Sequence, residues 1–363
     1  MSGEYHLSLD PGEKDALAHV PGAGLTQMEA MGMSDKTQRF QNTDGTTLGA
    51  PIGSRPESME EFTRLNIWAK VQQPPPVKFK DLEALVTSRI VRNQLSFDYR
   101  FDFYRVTDDA DMVPITIQIP NRQMSFQEKD GVQTASLNLF CRISTLGGRV
   151  VQTFEDVIVK DFPSSLLQQS LKGFSVYQKA VPLRAGLYRL DIVLKDINSS
   201  NVGVVNTRLP VPRFEEDKLA SSQIVLADEI VHVSSHEIGI GQFVVGDMKV
   251  RPKLDAIFTT GDNLGIYLQV YNLKPDEKTH QPNASILYQI TKDGQKDGDA
   301  PVFKLEESTQ QMGDHGDQVT LDKTMRLSSV PPGKYKLAIQ ITDNLAKQTI
   351  SQSADFTVKT AAK

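Results

Sequence analysis

Ala185-Gly-Leu-Tyr-Arg-Leu-Asp-Ile-Val-Leu-Lys-Asp196 and Pro332-Gly-Lys-Tyr-Lys-Leu-Ala-Ile-Gln-Ile-Thr-Asp343 are one pattern written twice. Gly186 matches Gly333, Tyr188 matches Tyr335 and Asp196 matches Asp343 at a constant offset. In each copy a glycine turn opens a run of period two. Tyr188, Leu190, Ile192 and Leu194 fall on one face, against Arg189, Asp191 and Lys195. Tyr335, Leu337, Ile339 and Ile341 repeat that face, against Lys334, Lys336, Gln340 and Thr342. Period two is the spacing of a β-strand with one buried face.

A tyrosine just after the turn into a late strand resembles the tyrosine corner of Ig-like sandwiches, whose hydroxyl ties back to nearby backbone. Working outward, Leu95, Phe97, Tyr99, Phe101 and Phe103 alternate with Ser96, Asp98, Arg100 and Asp102. Val113, Ile115, Ile117 and Ile119 alternate across Thr116 and Gln118. Asp130-Gly131 and Gly147-Gly148 sit at hairpin positions, and 163–171 reads as a short helix or a crossover loop. Downstream, strands are expected at 223–233, 264–273, 284–292, 319–327, 333–343 and 348–358, with Asp293-Gly294 and Asp297-Gly298 as turns.

These signals predict a mainly β chain of two tandem Ig-like or fibronectin-like antiparallel β-sandwiches. The first is expected over 77–212 and the second over 222–358, with Pro210, Pro212 and the charged run from Glu215 marking the boundary. An irregular segment, 1–76, precedes them. Residues 18–56 within it show no sustained period, and a helix is predicted near 58–72. There Ser58 and Glu61 fit a capping box, and Met59, Phe62, Leu65 and Ala69 share a face beside Trp68.

The chain has 363 residues and a formal net charge of -5, with both signs interspersed. No basic stripe points to nucleic acid. No apolar run approaches the ~18 residues of a membrane helix. The opening residues carry neither the charged nor the apolar region of a signal peptide. The single cysteine, Cys141, is in register with Leu137, Leu139 and Ile143 and reads as a small buried hydrophobe.

No nucleotide-binding loop, nucleophile elbow, zincin motif or paired-cysteine motif is present. Three weaker constellations are present. Asp228, Glu229, His232, His236 and Glu237 cluster, but on a strand the two histidines stand roughly 13 Å apart, too far to share one zinc ion unless Ser234 and Ser235 turn the chain. Asp293, Asp297 and Asp299 resemble a calcium loop without its ligand order or closing Glu. Asp314, His315 and Asp317 lie in a Gly-rich polar loop, where an acid–base pair would need a cleft. The expectation is no catalytic, cofactor-binding or metal residue.

The stretch Ser2-Gly-Glu-Tyr-His-Leu-Ser-Leu-Asp-Pro-Gly-Glu-Lys-Asp-Ala-Leu17, with the segment from Phe154 to Leu190, resembles the GWxTD domain-containing proteins of acidobacterial type. The likeness covers most of the chain but not the signature itself, since Trp68 follows Ile67 and not glycine. The resemblance is therefore to the region downstream of that signature, and no catalytic residue is carried over. It implies an extracytoplasmic home, periplasmic or secreted. The function expected is a non-enzymatic structural or protein-interaction β-sandwich protein of the bacterial envelope or secreted fraction. Its partner would be a protein or another envelope component. The alternative is a carbohydrate-binding accessory module of a larger secreted protein.

Overall fold

The computed structural model describes residues 78–87, 93–107, 109–233, 242–295, 300–311 and 318–360. The irregular segment 1–76 and its helix near 58–72 lie outside the described residues. The chain divides into two units, Met1–Lys78 and Phe79–Lys363, and the fold below is that of the second.

The first half begins with a helix, α1 (Lys80–Thr87), where strands were expected. β1 (Asp98–Phe101), β2 (Tyr104–Arg105), β3 (Asp111–Pro120) and β7 (Phe174–Leu183) form one antiparallel sheet, sheet I. β4 (Gln127–Lys129), β5 (Val132–Thr145), β6 (Val150–Pro163), β8 (Gly186–Asp196) and β9 (Val202–Val211) form sheet II. A short helix, α2 (Leu167–Ser170), joins β6 to β7. Asp130 and Gly131 turn the β4–β5 hairpin with φ of 53° and 79°, the left-handed pair that such a tight turn needs.

The alternation read from sequence decides what fills the space between the sheets. Val113, Ile115, Ile117 and Ile119 of β3 meet Leu137, Leu139, Cys141 and Ile143 of β5 and Leu190, Ile192 and Leu194 of β8, all fully buried in one cluster. Each such side chain contributes about 1.5–3 kcal/mol by leaving water. Phe97, Tyr99 and Phe101 pack on the same cluster from the edge. Gly203 on β9 is required by close approach, because a Cβ there would lie 2.1 Å from the Leu95 carbonyl oxygen. The chain around Leu95 is laced to β9 at that point, since Gln94 N and Leu95 N both donate to Val202 O, at 2.8 and 3.1 Å.

The second half also forms two sheets. β10 (Ala220–Ser221), β11 (Val225–His232), β12 (Val244–Val245), β13 (Met248–Pro252), β15 (Asn263–Tyr271) and β18 (Val319–Arg326) make sheet III. β14 (Ile257–Thr259), β16 (Ala284–Lys292), β17 (Phe303–Ser308), β19 (Gly333–Asp343) and β20 (Gln348–Lys359) make sheet IV, in which only the β14–β20 pair is parallel. Leu264, Leu268, Ile286, Ile290, Leu337, Ile339 and Ile341 form the core between them. The hydroxyls of Tyr188 and Tyr335 each donate to a backbone carbonyl four residues back, Arg184 O at 3.0 Å and Pro331 O at 2.6 Å. Both copies of the quoted stretch therefore carry the tyrosine corner.

Asp191, assigned to the open face of β8, is fully buried. It accepts from Arg142 Nη2 at 3.1 Å, Arg189 Nε at 2.8 Å and Asn206 Nδ2 at 2.6 Å. The reason is cover on the outer face of sheet II. α1 packs against β8, with Leu82 and Val86 buried, Asp81 bonded to Lys195 Nζ at 2.7 Å and Phe79 N donating to Glu155 Oε1 at 3.0 Å. Phe140 and Val193, paired across β5 and β8, are fully buried on that face.

Candidate binding cleft at the junction of the two halves

Sheet I has a second face, and its side chains are polar. Thr116 and Gln118 on β3 and Gln178 on β7 point away from the core, yet all three are buried. They are covered by the second half, and Gln178 bonds to it directly. Gln178 Nε2 donates to Thr116 Oγ1 at 2.8 Å, while its Oε1 accepts Phe243 N at 2.9 Å. Arg100 is gripped by the buried Asp102 at 2.6 Å and donates from Nη2 to Ile224 O at 2.8 Å. A buried polar group without such a partner costs about 1–3 kcal/mol.

An apolar patch completes the junction. Tyr104 and Tyr267 meet edge to face, 5.9 Å between centroids, within a cluster that includes Val225, Met248 and Val250. Arg105 lies 5.4 Å over the Tyr271 ring, its backbone N–H donates to Tyr271 Oη at 3.2 Å, and its guanidinium bonds Asn272. Tyr271 Oη donates to Gln269 Oε1 and Gln269 Nε2 donates to Tyr267 Oη, both at 2.8 Å. Burial pushes the phenols of Tyr104, Tyr267 and Tyr271 well above their ordinary range, so they stay neutral donors.

Where this junction opens, a cleft of about 480 Å³ remains. The first half lines it with Gln118, Lys160, Phe162 and Phe174, and the second with Asp228, Arg251 and Lys253 among others. Gln118 is 3% exposed and its Nε2 has no hydrogen-bond partner. Arg251 is already engaged, by Asp228 at 2.7 Å and Glu229 at 3.2 Å, and the bond to Asp228 holds its guanidinium above the usual range. Asp255, also at the cleft, accepts Ile257 N at 3.1 Å. Lys253 Nζ rests 5.3 Å from the Phe258 ring, and Phe174 is 47% exposed.

Among the described residues, the three polar constellations of the sequence do not converge on the cleft beyond Asp228. His232 ends β11, is 74% exposed and stands 3.8 Å from Asp247. Asp228 and Glu229 serve Arg251. His236 and Glu237 lie outside the described residues, as do Asp297, Asp299, Asp314, His315 and Asp317. Asp293 sits in a turn, its N–H donating to Lys334 O at 2.9 Å. Among the described residues no group of three His, Cys, Asp or Glu side chains could hold a metal ion. No helix among them is long and apolar enough to cross a membrane. Cys141 is fully buried, and burial first, then the nearby Asp191 charge, pushes its thiol up. Gln118, Lys160, Phe162 and Lys253 were not singled out from sequence as site residues. They come from β3, β6 and the loop after β13, and only Lys160 and Phe162, two apart on β6, are neighbours in sequence.

No protein-family model matches the chain, and no curated protein sequence matches it. Among solved structures, an Escherichia coli α-2-macroglobulin activated by porcine elastase aligns at 12% identity and a TM-score of 0.22, covering 74% of this chain and 24% of that one. A Bacteroides uniformis β-glucuronidase aligns at 11% identity and a TM-score of 0.22, covering 46% of this chain and 16% of that one. A calcium-binding mutant of Bacteroides uniformis β-glucuronidase 2 gives 13% identity and a TM-score of 0.21, over 35% of this chain and 13% of that one. The chain thus spans about a quarter or less of each of those proteins, and at these scores nothing of their activity is carried over.

Proposed function

We propose that this is a non-enzymatic β-sandwich protein of the bacterial envelope or secreted fraction that works by holding a protein partner. The observation that supports it is how the polar face of sheet I is used. Arg100, Gln178 and Arg105 are committed to fixing one half on the other, and this leaves a shaped cleft with a free amide donor beside it. Tyr104 and Cys141, both pushed well above their ordinary range chiefly by burial, lie in packed cores and not in the cleft. Catalytic sites more often place such groups in an open cleft. Kinship with the GWxTD domain-containing proteins, and the extracytoplasmic home it implies, belong to the same proposal.

The experiment is a turnover screen of the full chain against glycoside, ester and peptide substrates, alongside fractionation of the cells that make it. The reading expects no turnover and recovery outside the cytoplasm. Turnover abolished by Asp228→Asn or His232→Ala would overturn it. Phe162 and Phe174 support the second reading, a carbohydrate-binding module, because rings at a cleft can stack on sugars. Saturable binding to a glycan array that disappears with Phe174→Ala would favour that reading over the first.

A further inference from the structure

The junction cleft holds a mismatch. Gln118 on β3 is 3% exposed, lines the cleft and has an amide nitrogen that donates to nothing. Its neighbours on the same face, Thr116 and Gln178, are bonded to each other, so the face is built for satisfied polar groups and this one is left over. Buried donors without acceptors are rare in native structures and point to a missing partner. The charges around it have the matching bias. Lys160 makes no ion pair among the described residues, and Lys253 has only the Phe258 ring. The cleft's two carboxylates are engaged, Asp228 by Arg251 and Asp255 by the Ile257 N–H. Among the side chains that line the cleft, the cations Lys160, Arg251 and Lys253 outnumber the carboxylates Asp228 and Asp255.

Its apolar side narrows the choice. Phe162 packs against Phe126 with the rings tilted by 47° and centroids 5.6 Å apart, and Phe174 is 47% exposed beside it. Lys160 and Phe162 both sit on β6, a 14-residue strand that pairs only with β5 and so presents a free edge among the described residues. A free edge accepts an extended chain by backbone hydrogen bonds, and side chains of that chain then alternate into the pockets beside it.

We propose, resting on the partner-binding reading, that the cleft seats an extended peptide segment of the partner. That segment carries an acidic side chain flanked by apolar ones. Its carboxylate accepts from Gln118 Nε2 and lies between Lys160 and Lys253, while a flanking apolar side chain covers Phe174. The charge-assisted bonds supply selectivity for the acid over its amide.

The test is calorimetric titration of the full chain with acetyl-Val-Phe-Glu-Phe-Val-amide and with its Gln counterpart. The Glu peptide is expected to bind about tenfold or more tightly than the Gln peptide, since one hydrogen bond to a charged group carries that factor. Lys160→Gln and Lys253→Gln, both at partly exposed positions, should each weaken the Glu peptide and leave the Gln peptide unchanged. Gln118→Met provides a readout that a structural role would not give. Removing an unpartnered amide should leave the melting temperature unchanged or raised, while Glu-peptide affinity falls. Equal affinity for the two peptides, or no binding of either, would overturn the proposal. So would glutarate binding as tightly as the Glu peptide, which would assign the cleft to a small carboxylate. None of these outcomes is turnover, so the proposal can fail while the non-enzymatic reading stands.

Discussion

β8 and β19 begin and end alike and differ in between. Each starts with a tyrosine bonded to a carbonyl four residues back. Each ends with a buried aspartate doing two jobs. Asp196 Oδ1 accepts Asn198 N at 2.9 Å in its own turn, while Oδ2 accepts Ser125 N at 2.7 Å from another loop. Asp343 Oδ1 accepts Leu345 N at 2.8 Å, and its Oδ2 accepts Lys274 N at 2.9 Å. On the inner face the two strands bury the same positions from Leu190 and Leu337 onward, while Tyr188 is only partly buried where Tyr335 is buried. On the outer face Asp191 and Val193 are fully buried, whereas Ala338 is half-buried and Gln340 is exposed. Alternation identifies the side chains that meet the partner sheet. Whether the other face meets water is decided by elements far away in sequence, here α1.

The largest effect should separate the two outer faces. Asp191→Ala leaves Arg142, whose side chain is 17% exposed, without its buried counter-charge. It should cost about 3–5 kcal/mol in urea unfolding, while Gln340→Ala on the matching face of β19 should change stability by less than about 0.5 kcal/mol. A loss below about 1 kcal/mol for Asp191→Ala would show that the cover by α1 does not desolvate the ion pair.

The strand ends should behave as equals. Asp196→Ala and Asp343→Ala each strand several backbone donors, so each should cost about 2–3 kcal/mol. A gap between them larger than about 1 kcal/mol would break the equivalence drawn from their hydrogen bonds.

A third effect belongs to the first half alone. Asp111 is 5% exposed; burial pushes its carboxyl up to about 6, against the opposing pull of Arg105. A carboxyl raised on folding favours the folded state while it is protonated. That stability is present below its ordinary range near 4 and is lost as pH rises through about 6. Melting of the protein should therefore gain on the order of 1 kcal/mol between pH 7 and pH 5, and Asp111→Asn should flatten that slope. An unchanged slope in the variant would place the titration elsewhere.

The smallest effect concerns the tyrosines. Tyr188→Phe and Tyr335→Phe should each cost about 0.5–1.5 kcal/mol, with Tyr335 at the upper end because its ring is 2% exposed. A larger loss at Tyr188 would reverse that ranking.

Much of the second half was legible because its strands alternate cleanly over one solvated face. The expected strands at 284–292 and 333–343 match β16 and β19 residue for residue. The Leu95–Phe103 aromatics read as core, and they are packed on it. β6 was legible only as the strand that a hairpin at Gly147 and Gly148 requires, because the exposed Val157 and Val159 break any period on an edge strand. α1 was missed because eight residues with two buried side chains give little periodic signal. The cleft was illegible for a different reason. Thr116 and Gln118 look like a solvated face, and only the packing of the second half turns them into a buried one. Lys160 and Lys253 stand far apart in sequence, and only tertiary structure brings them to one opening.

Cys141 gives the molecule a built-in clock. It is the only thiol in the chain, and it sits fully buried between the sheets of the first half. A maleimide in the solvent reaches it only when those sheets part, so the alkylation rate counts openings of that half and is blind to those of the other. Timing the reaction at increasing urea would then separate local breathing from complete unfolding. No label need be introduced to do so.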